Sequence, residues 1–255
     1  MTEHFAARLR AKERIVGYWV TSDNAAATER IASNGYDYIC LDLQHGLLDY
    51  SGVVPNMLAI EAGGSTGIIR VPVGDAWWIG KALDAGARAV IVPMVESQEH
   101  ALSAVAACRY PPAGVRSFGP MRSSLRIGPS PREADDQVAC IAMIETVQGL
   151  ARAEEICATP GLDAIYVGPS DLSLAVGGET PAHGWTLPAY QEAIDTILSA
   201  AGKSGIAVGL HVNDGAAGAA AFERGFDFVS ISNDLNHILA FTKAELAAAR
   251  GAATS

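Results

Sequence analysis

Residues 140–172 read CIAMIETVQGLARAEEICATPGLDAIYVGPSDL and hold one complete structural unit. The run Cys140–Glu145 is short, nearly all apolar, and ends on a carboxylate. Leu150–Ala158 is rich in Ala, Leu and Glu and long enough for a helix. Pro160-Gly161-Leu162-Asp163 then closes that helix on a glycine and opens a second apolar run, Ala164–Val167, which passes into Gly168-Pro169-Ser170-Asp171-Leu172. Short continuous apolar runs bounded by Gly, Pro and Asp are how strands buried on both faces read. Strand, helix and strand in that order make a parallel unit.

The unit recurs along the whole chain. Similar runs occur at Ile15–Thr21, Tyr36–Leu43, Gly67–Val71, Ala89–Val95, Ala207–Val212 and Phe226–Ser232, with helical segments such as Ala25–Ser33, Ala76–Asp84, Glu99–Ala107, Pro188–Lys203 and Gly215–Arg224 between them. Asn34-Gly35-Tyr36-Asp37, Ala85-Gly86-Ala87-Arg88 and Arg224-Gly225-Phe226-Asp227 repeat the helix–glycine–strand joint, as expected where glycine takes the left-handed conformation past a helix end. Eight strands with interleaved helices, in 255 residues without a linker, predict the α/β class and a single (β/α)8 TIM barrel over 1–255. One stretch breaks the rhythm. Pro111–Asp136 carries Gly, Pro and Arg116, Arg122, Arg126 and Arg132, and is expected to be an extended loop over the barrel mouth with a short helix in it.

Composition narrows the function. Apolar residues make up 49% and charged residues 18%, which describes a chain with a large core. A net charge of −10 argues against nucleic acid as a partner, because such affinity comes mostly from cations meeting phosphates. No apolar run reaches the roughly 18–20 residues of a membrane span, and Met1–Arg14 lacks a signal-peptide core, so no membrane partner and a cytoplasmic location are expected. Cys40, Cys108, Cys140 and Cys157 show no metal or disulfide spacing and read as buried free thiols.

In such a barrel the chemistry sits at the C-terminal ends of strands. Those ends read Leu41-Asp42-Leu43-Gln44-His45-Gly46, Arg70-Val71-Pro72, Met143-Ile144-Glu145-Thr146, Val167-Gly168-Pro169-Ser170-Asp171-Leu172 and Gly209-Leu210-His211. Glu145 and Asp171 end neighbouring strands, and two carboxylates at one mouth suit Mg2+ or Mn2+; helix capping explains the same residues. His45 fits a general acid/base or a plain loop histidine. Arg70, at the end of a buried strand, needs an anionic ligand or a carboxylate partner. His211 reads as a pocket residue or a structural one. Lys12, Lys81, Lys203 and Lys243 are the only lysines and none ends a strand, which disfavours a Schiff-base mechanism. No dinucleotide or phosphate-binding glycine motif is present.

These motifs together, with Gly17-Tyr18-Trp19 and Leu83-Asp84-Ala85-Gly86-Ala87, resemble the HpcH/HpaI aldolase/citrate lyase family in order and spacing nearly end to end. That family comprises metal-dependent class II pyruvate aldolases typified by 4-hydroxy-2-oxoheptanedioate aldolases. The resemblance implies a divalent cation (Mg2+, Mn2+ or Co2+) on Glu145 and Asp171, and a 2-oxo acid chelating it. It implies Arg70 at the ketone oxygen, and His45 with Asp42 and Asp84 as acid/base apparatus. It also implies homohexamers, trimers of dimers that exchange the last helix, with sites near subunit boundaries. Trp19, Gly168, Pro169, Ser170, Asp171 and Leu210 are then expected to bind substrate, with the Pro111–Ser124 loop as a further wall, and an aldehyde is the second small-molecule partner. Met143 and Gln44 stand where many members carry Gln and Glu, differences that bear on the aldehyde.

Two other enzyme readings share the enolate-forming apparatus: oxaloacetate decarboxylase, and a CoA-ester lyase with Arg116, Arg122 and Arg126 lining a nucleotide groove. A barrel kept only for binding would have no need of Glu145, Asp171, Arg70 and His45 together. The Ala-rich helix expected over Thr242–Ala253, with Leu239, Leu246 and Ala249 on one side, suits packing on a neighbouring copy.

Overall fold

Eight strands follow one another round a closed parallel barrel: β1 (Ile15–Val20), β2 (Tyr38–Asp42), β3 (Thr66–Arg70), β4 (Ala89–Val92), β5 (Ala139–Ile144), β6 (Ala164–Val167), β7 (Ala207–Val212) and β8 (Phe228–Asn233). Each pairs with the next, and β8 returns to β1. The computed structural model describes residues 4–127 and 130–251. The predicted eight strands and their order are all found.

Two apolar layers explain the continuous runs. Side chains such as Trp19, Tyr38, Ile68, Ile91, Met143, Tyr166 and Phe228 fill the lumen, while their alternates pack outward against the helices. The helix Phe5–Arg10 plugs the N-terminal end of the lumen, with the Phe5 ring edge-on to Tyr38 at 5.5 Å. The joint glycines behave as expected: Gly35, Gly86, Gly161 and Gly225 all have positive φ, at 91°, 100°, 81° and 109°.

Two helical expectations, Leu150–Ala158 and Thr242–Ala253, need correction. Leu150–Ala158 is not one helix but two short ones, Val147–Ala151 and Ala153–Cys157, broken at Arg152. A helix also spans Tyr50–Ala62 despite Pro55 inside it. The C-terminal helix runs Asp234–Ala249, starting well before Thr242; Ala252 and Ala253 lie outside the described residues. Only Asp234 of that helix is buried, and Ile238, Leu239, Phe241 and Leu246 face away from the chain.

The largest correction concerns residues 111–136. This segment follows the helix Gln98–Cys108 and leads into β5, so it is a helix-to-strand connection and lies at the N-terminal ends of the strands. Its contacts agree. Arg116 pairs with Asp84 at 2.8 Å, Arg122 donates to the Ala85 carbonyl at 2.7 Å, and Arg126 pairs with Glu61 at 2.9 Å, all at the C-terminal ends of preceding helices. The segment therefore does not cover the mouth of its own barrel. A short helix does occur in it, Pro131–Gln137, closed by a Ser130–Glu133 capping box.

Among the described residues no helix is long and apolar enough to cross a membrane. All four cysteines are buried and unbridged.

Candidate active site

At the C-terminal end of the barrel lies a cavity of about 410 Å3, lined among others by Trp19, Asp42, His45, Arg70, Met143, Glu145, Tyr166, Asp171 and His211. Its polar centre starts from register. Asp42 and Arg70 are partners at the ends of β2 and β3. The Arg70 Nε donates to Asp42 Oδ1 at 2.9 Å, and the Arg70 terminal nitrogen pairs with Oδ2 at 2.5 Å. This two-pronged arrangement matches a planar guanidinium to a carboxylate. The Trp19 indole N–H donates to the same carboxylate at 3.1 Å, and the guanidinium carbon sits 5.1 Å from the Trp19 ring centre. Burial raises the Asp42 pKa, but Arg70, Trp19 and the His45 amide outweigh it and hold it below the usual carboxylate value.

His45 sits on the turn after β2, exposed at the rim. The backbone N–H groups of Gln44 and His45 donate to Asp42 Oδ1 at 3.0 and 3.2 Å. Asp42 therefore fixes the His45 turn through the main chain, and among the described residues no carboxylate accepts a bond from the His45 ring.

Glu145 immediately follows β5 and is 2% exposed. Its Oε1 accepts the Met94 N–H at 2.9 Å, and Met94 holds a left-handed φ of 55° to present that group. Burial pushes Glu145 up to about 7; the Met94 bond opposes the rise and the nearby Asp171 charge adds to it. The residue opposite is Gly168, where any Cβ would collide with the Glu145 carboxylate. Asp171 lies in the first turn of the helix Pro169–Ala175, exposed to the cavity, and Gly168, Pro169 and Ser170 line the same wall.

Two expected site residues stand elsewhere. Leu210 packs outward into the strand–helix layer. Its neighbour His211 faces the cavity instead, because strand side chains alternate. Asp84 ends the helix Ala76–Asp84 at the far end of the barrel, paired with Arg116, so within one chain it is nowhere near His45. The basic groove expected from Arg116, Arg122 and Arg126 is likewise absent from the mouth, and these cations are taken up by Asp84 and Glu61. Tyr166, Thr21, Asn233 and Asn236 line the cavity and were not expected there. Strand alternation would have found Tyr166; the Met94 amide leaves no side-chain signature at all.

A parallel barrel whose mouth sets Glu145 and Asp171 beside a carboxylate-locked arginine suits the stabilisation of negative charge on a substrate oxygen, and similarity to known proteins places the chain among carbon–carbon lyases. Residues 15–240 match the model of the HpcH/HpaI aldolase/citrate lyase family, and the chain belongs to it. It is 36% identical over 233 residues to a hydroxypyruvate/pyruvate aldolase of Rhizorhabdus wittichii, covering 91% of this chain and 92% of that protein. It is 32% identical to a 5-keto-4-deoxy-D-glucarate aldolase of Klebsiella pneumoniae, covering 91% and 90%. A crystal structure of a family member from Burkholderia cenocepacia superposes with a TM-score of 0.86 at 32% identity, covering 96% of this chain and 98% of that one.

Proposed function

We propose that the protein is a divalent-metal-dependent aldolase that reversibly cleaves 4-hydroxy-2-oxo acids to pyruvate or hydroxypyruvate and an aldehyde. The observation that carries this reading is Glu145, buried and fixed by Met94, facing Asp171 and Arg70 in one cavity. The donor set fits a hard cation. The Asp171 charge adds to the rise in the proton affinity of Glu145, which a cation between the two would relieve. Among the described residues no group of three His, Cys, Asp or Glu forms a closed cage, and an ion such as Mg2+, Mn2+ or Co2+ keeps coordination sites for water and substrate oxygens. When bound, that ion would supply Lewis-acid polarisation of the donor ketone.

The chain's own residues supply the remaining work. Arg70 uses Nε and one terminal nitrogen on Asp42, so its other nitrogen is available to a substrate oxygen that gains charge as the enolate forms. The N–H groups of Ser170 and Asp171, in the first helical turn, suit the donor carboxylate. His45, at the rim where an aldehyde enters, takes the proton of the 4-hydroxyl in cleavage and returns it in addition. Trp19 closes the inner wall. The name of the Rhizorhabdus wittichii relative supports pyruvate and hydroxypyruvate as donors.

We also propose a homo-oligomer, a hexamer built as a trimer of dimers that exchange the last helix. Support comes from the unpartnered Ile238, Leu239, Phe241 and Leu246 on that helix. Asp84 could assist a His45 only across such a boundary. Light scattering tests the assembly, and a clean monomer at micromolar concentration contradicts it. The buried free thiols support a reducing, cytoplasmic location.

The test of function is a panel of aldehydes offered with pyruvate or hydroxypyruvate, with and without Mg2+, Mn2+ and Co2+. Metal-dependent formation of a 4-hydroxy-2-oxo acid is the expected result. Oxaloacetate decarboxylation without any carbon–carbon bond formation would favour the decarboxylase reading instead.

A further inference from the structure

A second cavity, of about 620 Å3, lies at the opposite end of the barrel from Glu145 and His45. It opens between the helix Tyr50–Ala62, the starts of β3 and β4, and the 111–136 segment. Met57, Leu58 and Ala62 give it an apolar side, and Arg88 and Arg126 a cationic one. Three guanidinium groups meet there round one carboxylate. Arg122 and Arg126 both pair with the same oxygen of Glu61, Oε2, at 2.6 and 2.9 Å. Burial raises the Glu61 pKa, but Arg126 and Arg122 outweigh it, so Glu61 stays ionised. Arg88 has no carboxylate partner among the described residues. Its terminal nitrogens donate to the Gln137 side chain at 2.9 Å and to the Arg126 carbonyl at 2.7 Å. These bonds hold the Arg88 charge, half-buried, close to that of Arg126. Burial lowers the Arg88 pKa, Glu61 opposes the fall and Arg126 adds to it. The Arg88 Nε, one terminal nitrogen of Arg126 and the Thr66 hydroxyl bond no described residue.

We propose that this cavity binds a small dianion, carrying a phosphate or two carboxylates, with Arg88 and Arg126 as its main partners and Thr66 as a hydroxyl donor. Glu61 is the one acid among the described residues that line the cavity, and it already serves two arginines through a single oxygen. The cluster is left with two uncompensated positive charges. Like charges held together away from bulk water raise each other's cost, and an anion between them removes it. Guanidinium groups suit this ligand chemistry, because their planar donors match the oxygens of phosphate and carboxylate. The volume is in the range of sites for small molecules. Met57, Leu58 and Ala62 accept the carbon body of an organic acid. Within one chain the barrel separates this ligand from the mouth, so both ends can be filled at once. The proposal is independent of the aldolase reading.

Calorimetric titration of the metal-free protein with inorganic phosphate, and separately with succinate, tests the site at an ionic strength held constant with NaCl. Saturable binding of one anion per chain is expected. Binding of phosphate alone identifies a phosphoryl ligand, and binding of succinate alone a dicarboxylate. Arg88→Gln and Arg126→Gln should each weaken the affinity at least about tenfold, since each removes a charged hydrogen-bond donor. Leu58 is 49% exposed on the lip of the cavity and makes no polar contact of its own. Leu58→Glu therefore adds a carboxylate there without breaking a bond, and carries the test where an arginine variant does not fold. It should weaken binding, and Leu58→Gln should leave it intact. Failure of both anions to bind saturably overturns the proposal. An affinity unchanged in Leu58→Glu and in folded Arg126→Gln places the anion elsewhere, such as beside Arg70, and overturns it as well.

Discussion

The Glu145 carboxylate occupies the space that a side chain on residue 168 would need, so Gly168 at the end of β6 is what lets the buried acid at the end of β5 reach the cavity. The strands bring the two positions together through the register Ile144–Val167. Gly168→Ala should leave the barrel folded but push Glu145 away from its Met94 anchor. Disturbing the support of a metal ligand typically costs about 10- to 100-fold in metal affinity or activity. Calorimetric titration with Mn2+ checks this, and an unchanged affinity would separate Glu145 from metal binding.

Asp42 should matter first for stability. Its carboxylate takes the Arg70 guanidinium, the Trp19 indole and two turn amides in a buried setting. Asp42→Asn leaves a buried arginine without its counter-charge, which typically costs about 3–5 kcal/mol. Urea denaturation should register that loss. A cost within experimental error would show that Arg70 finds another partner.

His45 and Arg70 should separate two reactions. His45→Ala is expected to slow aldol cleavage and addition by about 10^2–10^4-fold, the usual range for a general acid–base group. Oxaloacetate decarboxylation, which needs only the enolate, should fall much less. Arg70→Ala should damage both. Parallel losses in His45→Ala would assign that residue to enolate support.

The raised pKa of Glu145 makes pH a test of the proposed metal site. Its value in the folded chain is raised from 4.5 to about 7. Without a cation, its contribution to stability is fully present below the unfolded value and is lost as pH rises through about 7. A cation requires the ionised form. The gain in Tm produced by Mg2+ should therefore grow between about pH 5 and about pH 8, and the growth should vanish in Glu145→Gln. A gain independent of pH in the wild type would contradict the assignment of Glu145 as the titrating ligand.

Much of this architecture can be read from local chemistry, and the failures have physical reasons. The glycines at 35, 86, 161 and 225 announce helix ends because only glycine takes positive φ freely. The strands announce themselves by apolar runs buried on both faces. That same property hides phase: Ala207–Val212 gives no alternation to say whether Leu210 or His211 points inward, so both read as pocket candidates and only His211 lines the cavity. The arginine-rich segment at 111–136 looks the same at either end of a barrel. Only counting the helix before it sends it to the N-terminal end, where Arg116 meets Asp84. The carboxylates and Arg70 were legible as costly groups in apolar surroundings. The Met94 amide that anchors Glu145 was not, since a main-chain donor carries no residue signature.

We propose that Glu145 and Asp171, holding a divalent cation, together with Arg70 stabilise the enolate left when a C3 proton of a 2-oxo acid passes to solvent water. The most direct measurement follows the methyl protons of pyruvate by NMR in D2O, with enzyme and no aldehyde. Exchange is expected with Mg2+ present, with its loss on chelation, its return on adding the ion back, and no exchange by Glu145→Gln with Mg2+ present. Exchange that continues undiminished in the chelated enzyme or in Glu145→Gln would contradict it.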